Sequence, residues 1–351
     1  FCQRAALAGW RNLHALDTFV RHTGGVSFGD SKNPREQAAQ AILQRLHPDY
    51  ETTVQAFVAQ DPAKPYRHAL DLARLRAIPL PRVLTVLHNA GGGTRRHAEE
   101  LVAYLAKQIV SFSLVPLPDH FVHLQWEAPN ESLQLHYHWP TQSDALLTML
   151  RDIGISHVHY HHLLGVDPEI MLIPQQLGIT YDFTAHDYYT ACPQIALVDT
   201  HHNYCGEQGL AQCTACLAQR PAPTGESIED WRLRHRLFLH NARYLLTPSR
   251  DAAQRLQRYF PTANLRFAPH LDMATDATVP QPHPRRLSTE AHLRILVIGA
   301  VNEVKGADIL EATALQAART SAPLEFHLVG YAHRLLQTQP HASLTVHGAY
   351  A

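Results

Sequence analysis

One pattern occurs twice in this sequence: an apolar run, a glycine-bearing loop and then an amphipathic helix. The first copy is PRVLTVLHNAGGG followed by HAEELVAYLAK, and the second is HLRILVIGAVNEVKG followed by ADILEATALQAA. Apolar strands that lead through a glycine loop into a helix are typical of parallel sheets covered by helices on both faces. The sequence therefore predicts an α/β fold with two Rossmann-like units. We expect the second unit to be truncated at Ala351.

Between the two copies, a central stretch from Ile155 to Leu217 places polar residues directly after apolar runs. The runs at 156–160 and 179–185 predict buried parallel strands, joined by a helix at about 167–177. His186 and Asp187 follow the second strand. Because ligands bind beyond the carboxyl ends of the strands in open α/β sheets, these two residues are candidate catalytic groups.

Changes in composition divide the sequence into four segments. Pro79 and Pro81 precede the first apolar strand, and a later stretch rich in proline, threonine and charge lacks any hydrophobic period, as linkers do. The predicted segments are a mainly helical piece at 1–80, a first Rossmann-like domain at 81–271 with a cysteine-rich insert at 192–217, a linker at 272–291 and a second Rossmann-like domain at 292–351. Helices are expected at 33–46, 50–59, 143–153, 228–241 and 252–259, and further strands at 109–117, 121–127, 133–137, 244–247 and 265–268.

The first glycine loop comprises Gly91, Gly92 and Gly93 and is followed by Thr94. Glycines at this position let a backbone approach a ligand closely, and the following helix offers N–H groups to an anion. The spacing is not G-x-G-x-x-G, so a dinucleotide is not favoured. A tight turn needed only for packing is the alternative.

Four cysteines follow the central strands: Cys192, Cys205, Cys213 and Cys216. The C-x-x-C pair can place two thiolates on one metal ion, and the other two cysteines can complete a tetrahedral zinc site. Such a site is structural, because four thiolates leave no open coordination position. Unrelated reduced thiols are the alternative.

Histidine is abundant, at 26 residues. His157 and His159 share one face of a predicted strand, an arrangement that metal sites use. A histidine-rich composition also produces such clusters without a metal, and we prefer that interpretation. A zinc hydrolase built on His157, His159 and His186 stays open as an alternative function.

Residues 81–351 resemble the GT-B glycosyltransferases of family 4, particularly those of bacterial surface-polysaccharide synthesis, such as O-antigen and capsule. The matching pieces are VLHNAGGGTRRHAEEL, HVHYHHLLG, YDFTAHDYYTACPQI with its cysteine insert, RYLLTPSRDAAQRL and VIGAVNEVKGADIL. The resemblance implies a GT-B-type pair of Rossmann-like domains that moves a sugar from a UDP- or GDP-sugar donor to a glycan or lipid-linked acceptor. It implies no metal for the transfer chemistry itself.

The resemblance also implies roles for single residues. Lys305 corresponds to a lysine that neutralises the donor phosphates, whereas Ala300 stands where the family often has arginine. His186 corresponds to a cleft histidine that faces the acceptor or the reacting sugar, with Asp187 to orient it. The implied donor-binding residues are Gly299, Asn302, Lys305 and Gly306, and the implied cleft residues are Gly91, Gly92, Gly93, Thr94 and Tyr188.

Residues 1–80 carry FCxRAxxAGWRN, DTFVRHTGGVSFG, HPDY and FVAQDP, which resemble the carboxyl-terminal end of a family 2 GT-A glycosyltransferase domain. By this resemblance His22 lies near a metal-bound nucleotide sugar. A simple turn-capping role for His22 is the alternative. The acidic catalytic segments of that family are not in the sequence, so this piece is expected to be inactive alone.

A second class of function also stays open. A catalytically silent glycosyltransferase-like module would bind a carbohydrate or a partner enzyme without transferring sugar. Ala300 favours it, as does the absence from this sequence of the glutamate-rich motif with which the family holds its donor.

The balance of charge and the hydropathy pattern restrict partners and location. The formal net charge is −1, with 30 Lys+Arg against 31 Asp+Glu, which does not favour nucleic acid as a partner. No apolar run reaches the roughly 20 residues that span a bilayer. The start FCQRAALAGW lacks a signal-peptide core and an initiator methionine. We therefore expect a cytoplasmic fragment, which a lipid-linked acceptor would bring to the inner face of the membrane.

Overall fold

A computed structural model describes residues 2–15, 18, 20, 32–129, 131–270, 292–330 and 344–348. His22 and the predicted linker at 272–291 lie outside these residues. The chain divides into two compact units: residues 1–79 with 152–154 form the first, and residues 80–151 with 155–351 form the second.

The N-terminal unit is helical. Its helices are α1 (Cys2–Leu7), α2 (Lys32–Leu46), α3 (Tyr50–Gln60) and α4 (Lys64–Ala77). The sequence predicted α2 and α3 but missed α4, whose KPYRHALDLARLRA is dense in charge and buries only Leu75. Pro65 fits the first turn of this helix because its missing N–H has no intrahelical acceptor there.

The second unit contains an eight-stranded sheet. Its elements are β1 (Arg82–Val86), α5 (Gly93–Leu105), β2 (Val110–Pro116), β3 (Phe121–Ala128), β4 (Glu131–His138), α6 (Ser143–Ile153), β5 (Ile155–Tyr160), α7 (Ile173–Leu177), β6 (Thr180–Thr184), α8 (Leu210–Gln219), α9 (Ile228–Asn241), β7 (Tyr244–Thr247), α10 (Arg250–Tyr259) and β8 (Leu265–Phe267). The strand order is β4-β3-β2-β1-β5-β6-β7-β8. Strands β2, β1, β5, β6, β7 and β8 are parallel, whereas β3 and β4 extend one edge antiparallel.

The central parallel strands are buried on both faces, since the consecutive residues Leu84, Thr85 and Val86 of β1 are all buried, and this explains their largely apolar sequence. Leu84 and Val158, on adjacent strands, are fully buried, and four of the five residues of β6 are buried. On β6, Asp182 and Thr184 are buried polar groups, so this strand carries polar atoms into the sheet interior.

The connection from β5 to β6 differs from the single helix expected at 167–177. A 3₁₀ turn at Pro168–Leu172 precedes the short helix α7. Asp167 caps the turn by accepting a hydrogen bond from the N–H of Glu169 at 2.9 Å. Pro174 lacks the N–H that would continue a helix from the turn, and Gly178 ends α7 in the left-handed region at φ +67°.

A second, three-stranded parallel sheet contains β9 (Leu293–Ile298), α11 (Ala307–Arg319), β10 (Leu324–Val329) and β11 (Leu344–Gly348), in the order β11-β10-β9. Phe326 and Leu328 of β10 and Ala314 of α11 belong to its core. Two parallel sheets with helices, together with a helical N-terminal segment, confirm the predicted α/β class.

Candidate functional site at the carboxyl edge of the large sheet

Three neighbouring parallel strands end beside one another and continue into histidines. His88 follows β1, His161 and His162 follow β5, and His186 follows β6. The N–H of His161 donates to the carbonyl of Val86 at 2.8 Å, which extends the pairing past the strand end. The polar residues predicted after β6 meet side chains from the end of β5, and the ring of His162 also contacts that of His88 at 4.7 Å.

Asp187 binds His162. Nε2 of His162 lies 2.8 Å from the Asp187 carboxylate, whose other oxygen accepts the N–H of Tyr189 at 2.9 Å. Nδ1 of His162 accepts the N–H of Leu164 at 2.9 Å, so Nε2 carries the proton that Asp187 accepts. The sequence analysis paired Asp187 with His186, but its hydrogen-bond partner is His162.

His186 instead contacts three other imidazoles, those of His97, His161 and His270. Its Nε2 lies 3.2 Å from Nδ1 of His161, and its ring centroid is 5.2 Å from that of His97 on α5. The His97 ring also stacks on His270 at 3.8 Å. Among the described residues, His97, His161 and His186 form the single set of three potential metal ligands whose ligand atoms all lie within 4.8 Å of one another.

These imidazoles are neutral at pH 7. Burial, followed by the nearby rings of His270 and His97, lowers the pKa of His186 to about 3. Burial also lowers the pKa of His161 well below its usual value, and burial with the neighbouring His270 lowers that of His97. A neutral imidazole keeps one nitrogen lone pair for a ligand proton or a metal ion.

His157 and His159 do not join this group. His157 lies 3.1 Å from the carboxylate of Asp182 and 2.9 Å from the hydroxyl of Thr180, while His159 contacts the hydroxyl of Thr184 at 2.8 Å. Both side chains thus bind polar groups of the adjacent strand β6. A three-histidine site made of His157, His159 and His186 does not form here.

The glycine loop precedes α5 at the same edge of the sheet. Gly92 has φ +94° and ψ −164°, a conformation that only glycine adopts readily. No atom lies within 4 Å of the position that a Cβ would occupy on Gly91, Gly92 or Gly93. The loop therefore faces open space, and Thr94 behind it is buried.

Helix α9 fixes the segment that follows His186 and Asp187. The indole N–H of Trp231 donates to the carbonyl of Tyr189 at 3.0 Å, and Nε of Arg232 donates to the carbonyl of Ala191 at 3.0 Å. Trp231 is fully buried, so this contact is shielded from water. Tyr188, the predicted cleft residue, is partly buried and directly precedes these anchored positions.

The four predicted metal-ligating cysteines line one pocket of about 140 Å³. All four are reduced and partly buried. Cys213 and Cys216 lie on α8, one turn apart, so this part of the predicted insert is helical. Burial raises the pKa of Cys192 to about 11. No three of the four sulfur atoms lie within 4.8 Å of one another.

The cysteine insert is also held by contacts outside the pocket. Arg255 of α10 donates to the hydroxyl of Tyr204 at 2.7 Å and pairs with Glu207. Arg220 donates to the carbonyl of Asp199 at 2.7 Å. Arginine hydrogen bonds therefore anchor this insert in addition to any metal that the cysteines hold.

The predicted donor-binding residues lie on the turn after β9. Asn302 caps the 3₁₀ turn Glu303–Lys305, and its side-chain oxygen accepts the N–H of Lys305 at 3.1 Å. Gly306 follows at φ +79°, and Gly299 has φ +128°. Lys305 is exposed. Asn302 therefore has a local structural role that the sequence analysis did not assign.

Sequence reasoning missed His88, His97, His161 and His162 as members of the site. The sequence pattern of α5 indicates its apolar face and gives no role to His97, although this residue lies in the second turn of the helix, after the glycine loop. His161 and His162 do not stand out in a sequence that contains 26 histidines. Their common signal is position: each follows a parallel strand or begins the helix after one.

No protein-family model matches this sequence, and a search of curated proteins finds no match. Similar solved structures include sucrose-phosphate synthase from Thermosynechococcus elongatus, with 14% identity, a TM-score of 0.41 and coverage of 77% of this chain and 71% of that chain. HepE from Anabaena in complex with UDP-glucose has 10% identity, a TM-score of 0.40 and coverage of 77% and 69%. A UDP-glucosyltransferase from Polygonum tinctorium has 13% identity, a TM-score of 0.40 and coverage of 78% and 72%. These TM-scores are below 0.5, so the α/β class is assigned from the strands and helices of this chain alone.

Within the described residues, no helix is long and apolar enough to cross a membrane.

Proposed function

We propose that this chain is a GT-B-type glycosyltransferase module, similar to family 4, that transfers a sugar from a UDP- or GDP-sugar to a glycan or lipid-linked acceptor. The observation that carries the proposal is the edge where β1, β5 and β6 end. There a glycine loop with open space before it adjoins a helix whose His97 reaches His186. Ligand crevices of α/β sheets form at this edge.

In this reaction the bond between the anomeric carbon and the donor diphosphate breaks, the anomeric carbon bonds to an acceptor hydroxyl, and the proton of that hydroxyl passes to the departing diphosphate. His186 is a weak base, because its pKa is about 3. We therefore assign His186 to binding a sugar hydroxyl rather than to removing the proton. Asp187 acts as a positioning residue through His162.

Lys305 is the proposed partner of the diphosphate. Its exposed ammonium forms no hydrogen bond or ion pair with the described residues. A cation here would stabilise the negative charge that develops on the leaving diphosphate. Gly299 and Gly306 have backbone conformations that favour glycine and leave no bulky side chain beside Lys305.

The remaining assignments extend this proposal. Cys192, Cys205, Cys213 and Cys216 hold a structural zinc ion that closes the insert beside α9. The residues before position 81 are the end of a GT-A domain. The module works in bacterial surface-polysaccharide synthesis in the cytoplasm, where a lipid-linked acceptor would bring it to the inner face of the membrane.

The test is calorimetric titration of UDP, GDP, UDP-glucose and GDP-mannose into the full chain. Lys305→Ala should weaken binding at least about tenfold, equivalent to about 1.4 kcal/mol. Lys107→Ala is the matched control, because Lys107 is also an exposed lysine and lies near the end of α5, away from the donor turn. Equal binding by Lys305→Ala and wild type would contradict the donor site. A folded wild-type chain that binds none of the nucleotides would favour the silent carbohydrate-binding module.

A further inference from the structure

Three imidazoles converge from three separate elements at the carboxyl edge of the large sheet. His97 comes from α5, His161 from the end of β5 and His186 from the segment after β6. Each offers a ring nitrogen, and these nitrogens all lie within 4.8 Å of one another. We propose that His97, His161 and His186 bind one divalent transition-metal ion of the Zn²⁺ class.

The distances fit such an ion. Zinc binds histidine nitrogens at about 2.0–2.1 Å, so two nitrogens on one tetrahedral ion lie roughly 3.3 Å apart. Nδ1 of His161 and Nε2 of His186 are 3.2 Å apart. The third ligand, His97, is half-buried, and its ring nitrogen lies within 4.8 Å of those of the other two, so metal binding requires this side chain to move closer to them. Two of the three ligands are therefore already spaced as a metal requires.

The chemistry of the donor set selects the class of metal. Imidazole suits Zn²⁺, Co²⁺, Ni²⁺ and Cu²⁺, whereas Mg²⁺ and Ca²⁺ prefer oxygen ligands. No carboxylate belongs to the set, because Asp187 is bound by His162 and by the N–H of Tyr189. Three protein ligands leave one tetrahedral position open, as in zinc sites that bind a water molecule or a substrate oxygen.

Other histidine pairs in the described part of the chain lack a third ligand. The rings of His123 and His136 stack at 4.4 Å, and Nδ1 of His327 lies 3.0 Å from Nε2 of His347. Neither pair gains a third ligand atom at the spacing of the proposed site. The strand-edge site therefore differs from the other described histidine clusters, because three ligand atoms meet there.

Surrounding groups restrict the orientation of the ligands. The ring of His159 lies 4.1 Å from that of His161, and its Nε2 contacts Thr184 at 2.8 Å, which holds it behind the proposed ligand. His270 stacks on His97 at 3.8 Å. These contacts already restrict the His161 and His97 side chains, so metal binding costs less conformational entropy.

This inference goes beyond the proposed sugar transfer, and its test does not depend on nucleotide binding. The full chain is stripped of metal with a chelator and titrated with Zn²⁺, and X-ray absorption at the zinc edge identifies nitrogen ligands. His97→Gln should weaken the nitrogen-ligated site at least about tenfold, since even the loss of groups behind a ligand costs about 10–100-fold. His136→Gln is the matched control, because it removes an exposed histidine from a two-ring stack.

Repeating the titration with the Cys213→Ser variant distinguishes zinc bound by the histidines from zinc bound by the cysteines. His97→Gln is preferred to substitution of the buried His161, whose replacement can unfold the chain. Long-range ¹H–¹⁵N spectra of the wild type give a second readout, in which one equivalent of Zn²⁺ should shift the ring signals of all three histidines. Absence of nitrogen-ligated zinc in the folded wild type would overturn the proposal. Equal affinity in His97→Gln and wild type would do the same.

Discussion

The Nε2 atom of His162 lies 2.8 Å from the Oδ2 atom of Asp187, and this hydrogen bond joins the ends of two adjacent strands. The side chain of His162 is only 4% exposed, and that of Asp187 is 27% exposed. Since Asp187 also accepts the N–H of Tyr189, its carboxylate restrains the backbone directly after His186. The acidic residue next to the candidate histidine thus acts through a different imidazole.

A double-mutant cycle tests this assignment. We expect Asp187→Asn and His162→Gln each to lower the free energy of unfolding, with a coupling of about 1–3 kcal/mol because the two groups form one hydrogen-bonded pair. Urea denaturation of the four proteins measures it. The comparison cycle pairs Asp187→Asn with His186→Gln, and those effects should add to within about 0.5 kcal/mol. Stronger coupling to His186 than to His162 would show that the sequence-based pairing was right.

The sequence predicted the strand ends but not which side chains meet there. The continuous apolar run VLTV identifies a buried parallel strand, because strands covered on both faces need such runs. The run ILVI also forms a parallel strand, but its Leu296 and Ile298 are exposed. The choice of Asp187's partner depends on strand order, since β5 lies directly beside β6 in the sheet. His97 comes from helix α5, and the apolar pattern of a helix does not show which strand end its polar residues meet. Side-chain pairing across strands is a tertiary property, so the sequence alone left it open.

The glycine loop offers a contrast between two neighbouring positions. Gly92→Ala should destabilise the chain by about 1–3 kcal/mol, because its φ of +94° and ψ of −164° suit glycine alone. Gly93→Ala should leave stability unchanged or raise it slightly, because this residue begins α5 and no atom lies near the added methyl group. Thermal unfolding of both variants measures the difference. A destabilised Gly93→Ala protein would show that the space before the loop is filled by protein.

Because His235 is buried, we expect the free energy of unfolding of this protein to fall in mild acid. Its Nδ1 donates to the carbonyl of Trp231 at 2.8 Å, while Nε2 has no partner among the described residues. Burial lowers its pKa from 6.5 to about 4, although the bond to Trp231 opposes this. On acidification the unfolded chain binds this proton first, so stability falls between pH 6.5 and about 4. From pH 7 to pH 5, His235→Leu should lose about 2 kcal/mol less than wild type. Parallel pH dependence in both proteins would contradict this cause.

The cysteine pocket yields a metal-removal prediction that is independent of the histidines. Cys213 and Cys216 lie one turn apart on α8, and both line the 140 Å³ pocket shared with Cys192 and Cys205. Co²⁺ substituted into this pocket should give the near-ultraviolet charge-transfer absorption of cobalt bound to thiolate. The double variant Cys213→Ser/Cys216→Ser should lose that absorption, whereas Cys2→Ser, which changes an exposed cysteine on α1, should keep it.

The same variants separate a structural metal from an incidental one. If the ion closes the insert, its removal with a chelator should speed proteolysis between Cys192 and Leu217, because closing this loop restricts the backbone. The arginine contacts of Arg220 and Arg255 remain without the ion, so the rest of the chain should keep its unfolding temperature to within a few degrees. His97→Gln should retain the thiolate absorption, since its ring lies at the strand edge. Unchanged proteolysis of the insert after chelation would mean that hydrogen bonds and packing hold it, and that the four thiols need no metal.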